Sequence, residues 1–505
     1  MPAITETANP TDKSAIDVGL PPPEIPSLAK RLTNSALWAS LLCSMTVWLV
    51  SIQVPLWLDE TISYWQTQGG FRQLWDRQGS IQFVAYPFFL WATKSLFGSS
   101  LVALRAPSVL AMIGATVFLY HIAREFFDRD VSLIVTTIFC LHPIVIFAAI
   151  DARSYAMGLL ACTAATYFLL RWMRTHNTRD AILFGLTAGL IAWFQYLFVV
   201  ILGAFLLILL SARPWWKSFP AQLLKALTIF IVTMLPIAFR FLLLVHTRQS
   251  HVLELAPVPA NLLETFAPGN MFLFLGGVLL LAIAMRKFPR PSTTTGSAIA
   301  NCVLLGFVPL LALYLISTLT PIHIFTLRYR LVAIPGIALC WGVLLSRINS
   351  NPVRLLFTMA LVLTVAKAQI DAPAHGHSWK GATEAVNAAT LLDHAPVLVC
   401  SNLVESDFEP MPTKDVSESW LFSQFTYYKI STPIVPLPRT LNPRTQTLVR
   451  DFLRTAAPAH QRFFAMGHGD SVMVLHWIGT QLKDSYTARD VGQYDGVLVV
   501  EYQPK

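Results

Sequence analysis

Long apolar runs separated by short polar connections dominate the chain from residue 36 to residue 369. Each run has 15 to 25 residues, and a helix needs about 20 apolar residues to cross a bilayer. The pattern predicts a polytopic α-helical membrane protein with eleven transmembrane helices. They are predicted at residues 36–54, 101–123, 131–150, 155–170, 181–195, 196–212, 221–245, 270–285, 297–319, 328–346 and 353–369.

A shorter apolar run, residues 83–97, decides the predicted topology. If it lies along the membrane without crossing, all the basic connections fall on the same side as Lys30 and Arg31, as the positive-inside rule requires. If it crosses, those connections move to the outer side. We therefore predict a juxtamembrane segment at 83–97 and a cytoplasmic N-terminus. The basic connections are 124–130, 171–180, 213–220, 286–296 and 347–354.

The same pattern divides the chain into three parts. Residues 1–33 are polar and rich in proline, and they predict a disordered cytoplasmic tail. Residues 34–369 form the transmembrane domain, whose first outward loop is 55–100. Residues 370–505 predict a small periplasmic α/β domain, because short apolar segments alternate with polar ones. In that domain we expect a helix at 378–392 and strands at 397–400, 472–475 and 497–500.

The composition supports a membrane protein. Of the 505 residues, 54% are hydrophobic and 13% are charged, with a mean hydropathy of +0.55. Because the basic residues follow the positive-inside pattern, the formal charge of +9 does not indicate binding to nucleic acid. Five of the six cysteines lie in apolar runs, so we expect core residues and not a disulfide framework.

Candidate chemistry starts directly after the first apolar run, at Asp59 and Glu60. Carboxylates are costly in hydrocarbon, so this pair belongs in water or in a polar cavity at the interface. Neighbouring residues point about 100° apart on a helix, so the two carboxylates do not share one proton. One of them can face a substrate while the other holds a backbone or a base. The alternative is a solvated loop that carries two acids.

Cations lie on the outward side, where the positive-inside rule does not place them. Arg153 follows Asp151 between two spans, and Arg328 opens another span. Arginine offers bidentate hydrogen bonds to a phosphate, so a lipid phosphate or pyrophosphate headgroup would explain these positions. The alternative is pairing, of Arg153 with Asp151 or of Arg105 with an acid of the first loop. We expect Arg105 to have a structural role.

Several motifs resemble those of the GT-C superfamily of membrane glycosyltransferases. The similarity is to the bacterial group related to protein O-mannosyltransferases and aminoarabinose transferases, and it covers residues 36 to about 400. The order and spacing of the motifs carry it, since each motif alone is weak. The motifs are LDET at 58–61, YPFFLW at 86–91, KSLFG at 94–98, LRAPS at 104–108, DARSYA at 151–156, and RY at 328–329 with Pro335. One departure is Ala85-Tyr86-Pro87, where the family has paired prolines that often follow a histidine.

The resemblance implies an inverting transferase that uses a polyprenyl-phosphate sugar at the periplasmic face. It implies that Asp59 is the base or positions the acceptor, that Glu60 supports it, and that Asp151 is a second acid. Arg153 and Arg328 would contact the phosphate. Some members use a divalent metal at the acidic loop, so a metal is left open here. The further candidate substrate-binding or lipid-phosphate-binding residues are Tyr155, Tyr329, Lys94 and Arg105.

The implied partners are a polyprenyl-phosphate sugar donor, the membrane and an acceptor that is a glycolipid, lipopolysaccharide, a polyprenyl glycan or a protein. The implied location is the bacterial inner membrane, with several passes. The alternatives are a transporter or flippase for lipid-linked glycans, a glycan ligase or polymerase, and an inactive glycan-lipid-binding protein. Transporters often have internal repeats and charges at mid-span, whereas the charges here lie at the rims.

Overall fold

The structure, a computed structural model, describes residues 28–77, 85–212, 220–247, 256–284, 296–348, 350–373, 376–412, 415–456 and 461–505. Residues 1–27 of the predicted tail 1–33, and all but the last residue of the basic connections 213–220 and 286–296, lie outside the described residues. Residues 28–33 were predicted within the disordered tail, but they belong to the helix Leu28–Leu49. The helices of the membrane region are α1 (Leu28–Leu49), α2 (Leu58–Gln66), α3 (Phe71–Arg77), α4 (Tyr86–Phe97), α5 (Leu101–Phe126), α6 (Arg129–Leu141), α7 (Pro143–Ile150), α8 (Tyr155–Thr175), α9 (Thr178–Phe194), α10 (Ile201–Ser211), α11 (Pro220–Thr247), α12 (Ala260–Phe266), α13 (Phe272–Ala284), α14 (Gly296–Leu319), α15 (Leu327–Arg330), α16 (Ile334–Leu345) and α17 (Asn351–Asp371).

Each of the eleven predicted apolar runs contains helix, and the chain is a multi-pass membrane protein. Within the described ranges, seven helices are long and apolar enough to cross a membrane, or eight if α6 and α7 form one span. Several of the other helices are shorter than a full crossing, so the count of eleven stays a prediction. The cut predicted at Gln195–Tyr196 is present, because α9 ends at Phe194 and Gln195 has an extended backbone.

The run predicted as one span at 131–150 is bent. Helices α6 and α7 meet at 67° around His142 and Pro143. Proline has no backbone N–H and clashes with a preceding helical turn, which explains why the helix is interrupted there. The bend directs the end of α7, and with it Asp151, toward the first loop.

The first loop contains three short helices, α2, α3 and α4. Helix α4 has 12 residues, so at 1.5 Å per residue it is about 18 Å long. That length is well short of the roughly 30 Å of a hydrocarbon core. The juxtamembrane placement of residues 83–97 stays a prediction, and this length agrees with it.

The C-terminal region contains a five-stranded sheet with the order β2-β1-β3-β5-β4. Strand β1 is parallel to β2 and β3, whereas β5 is antiparallel to β3 and β4. Helices pack on both faces and form two separate hydrophobic cores. The elements are α18 (Lys380–Ala389), β1 (Val397–Cys400), α19 (Gln424–Tyr427), β2 (Ile434–Leu437), α20 (Pro443–Ala456), β3 (Phe463–His468), α21 (Val472–Leu482), β4 (Tyr486–Tyr494) and β5 (Val497–Pro504).

The predicted small α/β domain is therefore present, with one error in its elements. Residues 472–475 were expected to form a strand, but they begin α21. A short run of apolar residues does not separate a buried strand from the start of a helix by periodicity alone. The strands predicted at 397–400 and 497–500 and the helix predicted at 378–392 are confirmed as β1, β5 and α18.

Candidate active site

Helix α2 begins where the chain leaves the first span, and its first turn contains Asp59 and Glu60. The carboxylate of Glu60 is buried and accepts hydrogen bonds on both oxygens. Arg105 donates through Nε to Oε1 at 2.9 Å and through Nη2 to Oε2 at 2.7 Å. The backbone N–H groups of Ala152 and Trp57 also donate to it, at 2.9 and 3.3 Å. Glu60 is thus fully engaged with protein donors.

Arg105 also holds the segment that leads into α2. Its Nη1 donates to the backbone carbonyls of Ser51, Ile52 and Val54 at 3.2, 2.9 and 2.8 Å. The side chains of both Arg105 and Glu60 are only 1% exposed. This geometry is a structural ion pair that fixes the N-terminus of α2 on the helical bundle.

Asp59 points away from this pair, toward α15. Its Oδ2 accepts a short hydrogen bond from Nη1 of Arg328, and the two side chains form an ion pair. The side chain of Arg328 is 32% exposed and that of Asp59 is 14% exposed. Arg328 Nη1 also lies 3.5 Å from the hydroxyl of Tyr155, and the guanidinium lies 5.8 Å from the ring centre of Trp57. Asp59 and Arg328 therefore meet at a partly accessible position.

Asp151 lies behind Trp57. Its Oδ1 accepts a hydrogen bond from the indole N–H of Trp57 at 3.0 Å, while the buried Oδ2 has no hydrogen-bond partner among the described residues. Burial, with the nearby charge of Glu60, holds the pKa of Asp151 well above its usual range. The hydroxyl of Ser108 donates to the backbone carbonyl of Asp151 at 2.6 Å. The structure thus brings a second, desolvated acid next to the first loop.

Arg153 and Tyr329 complete this cluster. Nη1 of Arg153 donates to the backbone carbonyl of Asp59 at 3.3 Å. The rings of Tyr155 and Tyr329 meet edge to face with their centres 6.2 Å apart. Of the residues predicted from the sequence, seven therefore belong to one connected network at the N-terminal end of α2. They are Asp59, Glu60, Asp151, Arg153, Tyr155, Arg328 and Tyr329. Arg105 supports the network through its ion pair with Glu60.

Lys94 lies at the opposite end of α2. Its ammonium donates to the backbone carbonyl of Thr67 at 2.9 Å and lies 4.7 Å from the ring centre of Tyr64. Thr67 lies eight positions after Asp59, a distance of about 12 Å along a helix. Burial and the nearby charge of Arg77 lower the pKa of Lys94 to about 8. The structure thus does not bring Lys94 into the cluster around Asp59.

Three contributors were not among the sequence candidates. Trp57 lies directly before the LDET motif, and its indole N–H donates to Asp151. The hydroxyl of Ser108 donates to the backbone carbonyl of Asp151, and the backbone N–H of Ala152 donates to the carboxylate of Glu60. No spacing in the sequence indicates the backbone donor, whereas Ser108 and Trp57 both lie inside or beside the motifs.

A divalent metal needs several free oxygen or nitrogen ligands. Among the described residues, no group of three His, Cys, Asp or Glu side chains is placed to hold a metal ion. Glu60 and Asp59 are each committed to an arginine. These acids do not fit a metal site in this arrangement, and we derive no catalytic step through a metal.

The chain is similar to membrane glycosyltransferases in sequence and in fold. Residues 84–239 match the family described as dolichyl-phosphate-mannose-protein mannosyltransferase. The structure resembles ArnT from Cupriavidus metallidurans bound to undecaprenyl phosphate, with a TM-score of 0.58, 12% identity, and coverage of 92% of this chain and 97% of ArnT. Apo ArnT gives a TM-score of 0.56, 13% identity, and coverage of 94% and 98%.

A further structure in the comparison is the arabinofuranosyltransferase AftD from Mycobacteria. It gives a TM-score of 0.49 at 14% identity, and the match covers 95% of this chain and 40% of AftD. No curated protein matches the sequence. At their level of identity, the two ArnT structures show a shared fold that extends over almost the whole length of both chains.

Proposed function

Because the chain is a membrane protein with the GT-C fold, as in ArnT, we propose that it is a glycosyltransferase. It would move a sugar from a polyprenyl-phosphate donor to a hydroxyl group of an acceptor. ArnT has been seen with undecaprenyl phosphate, and residues 84–239 match a family named for a dolichyl-phosphate sugar donor. Both names support a polyprenyl-phosphate donor for this chain.

One observation carries the proposal, the contact between Asp59 and Arg328 at a partly exposed position. Transfer from a lipid phosphate needs a base for the acceptor and a cation for the leaving phosphate. A carboxylate and a guanidinium within hydrogen-bonding distance supply both. Arg153 adds a second guanidinium that already donates to the backbone of Asp59.

The proposed reaction is a single inverting displacement. The carboxylate of Asp59 takes the proton of the acceptor hydroxyl while that oxygen attacks the anomeric carbon of the sugar. The bond between this carbon and the phosphate oxygen breaks, and its electron pair stays on the phosphate. Arg328 and Arg153 stabilise the charge that develops on the departing polyprenyl phosphate.

The ion pair implies an exchange of partners when the donor binds. In the structure, Arg328 donates to Asp59, so this carboxylate is already engaged with a cation. A donor phosphate would compete for the same guanidinium, since Arg binds phosphate as well as carboxylate. Movement of Arg328 from Asp59 to the phosphate would free the carboxylate for the acceptor.

The other residues take supporting roles in this proposal. Glu60 and Arg105 position α2, because every oxygen of Glu60 is already bonded. Asp151 holds Trp57, whose ring lies beneath Arg328. Tyr155 and Tyr329 lie beside the guanidinium of Arg328. We place the reaction at the periplasmic face of a bacterial inner membrane, with the C-terminal domain on that side.

The test is transfer by the purified protein from a panel of polyprenyl-phosphate sugars, with Asp59→Asn beside the wild type. Asparagine keeps the size of the side chain but cannot accept the proton, so we expect a loss of about 100-fold or more. Asp451→Asn is the matched control, since Asp451 is 56% exposed and pairs with Arg454 on a surface helix. The product should have an inverted anomeric configuration by NMR.

The outcomes separate the alternatives. Transfer that Asp59→Asn leaves unchanged would move the base elsewhere, with Asp151 the next candidate. If the folded protein binds undecaprenyl phosphate but transfers no sugar from any donor, the glycosyltransferase proposal is wrong. A carrier for lipid-linked glycans would then be the better explanation.

A further inference from the structure

Helix α2, which carries Asp59, is enclosed between the helical bundle and the C-terminal domain. Seven of its nine residues are buried. On the bundle side it is held by the pair of Glu60 and Arg105. On the other side it contacts residues 416–428 of the C-terminal domain, which we call the clamp segment.

Three hydrogen bonds join the clamp segment to α2 and its approach. The hydroxyl of Tyr428 donates to the backbone carbonyl of Leu56 at 3.0 Å. The indole N–H of Trp65 donates to the backbone carbonyl of Glu418 at 2.8 Å. The hydroxyls of Thr61 and Ser423 lie 3.0 Å apart, and neither residue has any exposed surface. These bonds hold α2 before, within and near the end of the helix.

Aromatic rings extend the same contact. Tyr64 of α2 meets Tyr427 edge to face, with ring centres 4.9 Å apart. Tyr427 meets Tyr428 at the same distance. Edge-to-face aromatic pairs stabilise a contact beyond the effect of the area that they bury. The clamp segment thus adds packing as well as hydrogen bonds to one face of α2.

A second part of the C-terminal domain reaches Trp57. Ser378 forms an isolated antiparallel β-bridge with Trp57. A Cβ atom added at Gly376 would lie 2.6 Å from ring atoms of Trp57, so only glycine permits this close approach. Because Trp57 donates to Asp151, the C-terminal domain also supports the second acid of the cluster.

These contacts matter because α2 is short. Isolated helices under about 12 residues are marginal in water, so the nine residues of α2 depend on tertiary contacts for their order. A misplacement of about 1 Å at a reacting group can cost about 100-fold in rate. A base on a short helix therefore needs support from both sides.

We infer that the clamp segment fixes the helix that carries Asp59, which makes Tyr428 and Ser423 positioning residues for transfer and the C-terminal domain a necessary part of the active site. The effect on catalysis rests on the proposed function. The effect on α2 itself does not, so the two can be tested separately.

The first test is hydrogen exchange of the full-length protein at residues 58–66. Tyr428→Phe removes only the hydroxyl that donates to Leu56, and we expect faster exchange in α2. Tyr502→Phe is the matched control, because the hydroxyl of Tyr502 also donates to a backbone carbonyl, that of Leu475 at 2.9 Å, but in the core distant from α2. Ser423→Ala is a second, smaller change at the clamp segment, and it should also speed hydrogen exchange in α2.

The second test is kinetic. We expect Tyr428→Phe to lower kcat by about tenfold to 100-fold, in the range for a misplaced reacting group, with the KM for the donor unchanged. Tyr502→Phe should lower the thermal stability to a similar extent and leave kcat unchanged. Unchanged exchange at 58–66 in both Tyr428→Phe and Ser423→Ala would overturn the inference. A wild type that transfers no sugar would instead contradict the proposed function, and the exchange data alone would then decide the inference.

Discussion

Arg328 donates a hydrogen bond to the carboxylate of Asp59 across 269 positions of the chain. The pair joins the loop that follows the first apolar run to the helix at Leu327–Arg330. Both residues stand in motifs that resemble those of GT-C transferases. In the structure each side chain is the direct partner of the other. A ligand that binds the guanidinium of Arg328 would therefore release the carboxylate of Asp59.

Arg328→Met should weaken donor binding. Hydrogen bonds to charged groups contribute about 1.5–3 kcal/mol, so the loss of this guanidinium should weaken binding of undecaprenyl phosphate by roughly 10- to 100-fold. Arg328→Lys keeps the positive charge but loses the planar guanidinium. Its affinity for undecaprenyl phosphate should lie between those of the wild type and Arg328→Met. Arg454→Met, which changes a side chain that is 78% exposed, is the control.

The measurement is direct binding of undecaprenyl phosphate to each variant in detergent or nanodiscs. Wild-type affinity in Arg328→Met would show that this residue serves Asp59 alone and does not contact the phosphate. In that case Arg153 would remain as the candidate phosphate ligand.

Glu60→Gln should destabilise the protein strongly. Glu60 and Arg105 are both 1% exposed, and removal of one partner of a buried ion pair typically costs about 3–5 kcal/mol because the other charge stays buried and uncompensated. Arg105→Met should cost a similar amount. The double variant should lose less than the sum of the two, since it leaves no uncompensated charge.

The measurement is the unfolding midpoint of the single and double variants. The exposed pair of Lys367 and Asp371, 77% and 59% exposed, provides the control. Asp371→Asn should change the unfolding free energy by no more than about 1 kcal/mol. If Glu60→Gln costs no more than Asp371→Asn, the structural role assigned to this pair is wrong.

Trp57→Phe should shift the pH dependence of transfer. Burial raises the pKa of Asp151, and the hydrogen bond from Trp57 lowers it. Without that bond the pKa of Asp151 rises further, so the carboxyl becomes protonated at a higher pH. If transfer needs ionised Asp151, the acid limb of the rate profile moves to higher pH.

The profile of kcat against pH for wild type and Trp57→Phe tests this shift. Trp48→Phe is the control, since the indole of Trp48 donates to the carbonyl of Cys140 and not to Asp151. An acid limb that stays in place in Trp57→Phe would mean that the ionisation of Asp151 does not limit transfer.

Much of the architecture follows from apolar patterning. Every predicted apolar run contains helix, since runs of this length have no other way to satisfy their backbone in a bilayer. The break at Gln195 could be predicted because two short runs meet there. Apolar content is the same for a bent and a straight helix, so apolar patterning missed the bend at His142, although Pro143 is a signal for it. The helix at 472–482 could not be predicted, because a short apolar run fits a strand and a helix start equally well.

The candidate site was predictable in part. Acids and arginines on the outward side need a reason, and this argument finds Asp59, Asp151 and Arg328 without any structure. The argument does not identify which distant residues contact these side chains or the helix that carries them. The hydroxyl of Tyr428 lies 372 positions from its acceptor at Leu56, and no periodicity or motif connects two such distant segments. The role of the C-terminal domain therefore emerges only from the folded chain.

Lys94 shows that two residues predicted on the same side of the membrane need not belong to the same site. The sequence places it with the outward cations, but its ammonium caps the C-terminal end of α2 at Thr67. Arg77 holds the same end, donating to the carbonyls of Trp65 and Gln68 at 3.0 and 2.6 Å. Both side chains offer positive charge to the end of a helix where the backbone carbonyls are unpaired.

Lys94→Met should therefore leave the affinity for undecaprenyl phosphate within about twofold of wild type and speed hydrogen exchange at residues 64–68. Lys483→Met provides the control for loss of one lysine charge, because Lys483 is exposed at the end of α21 and lies outside α2, α4 and the clamp segment. Since burial and the charge of Arg77 lower the pKa of Lys94 to about 8, the folded protein disfavours its charged form, so protection at 64–68, corrected for the intrinsic exchange rate, should rise in the wild type as the pH passes through 8 and the charge is lost. A loss of donor affinity of tenfold or more in Lys94→Met would place the phosphate at the C-terminal end of α2, about 12 Å from Asp59, and would exclude a direct displacement by an acceptor held at Asp59.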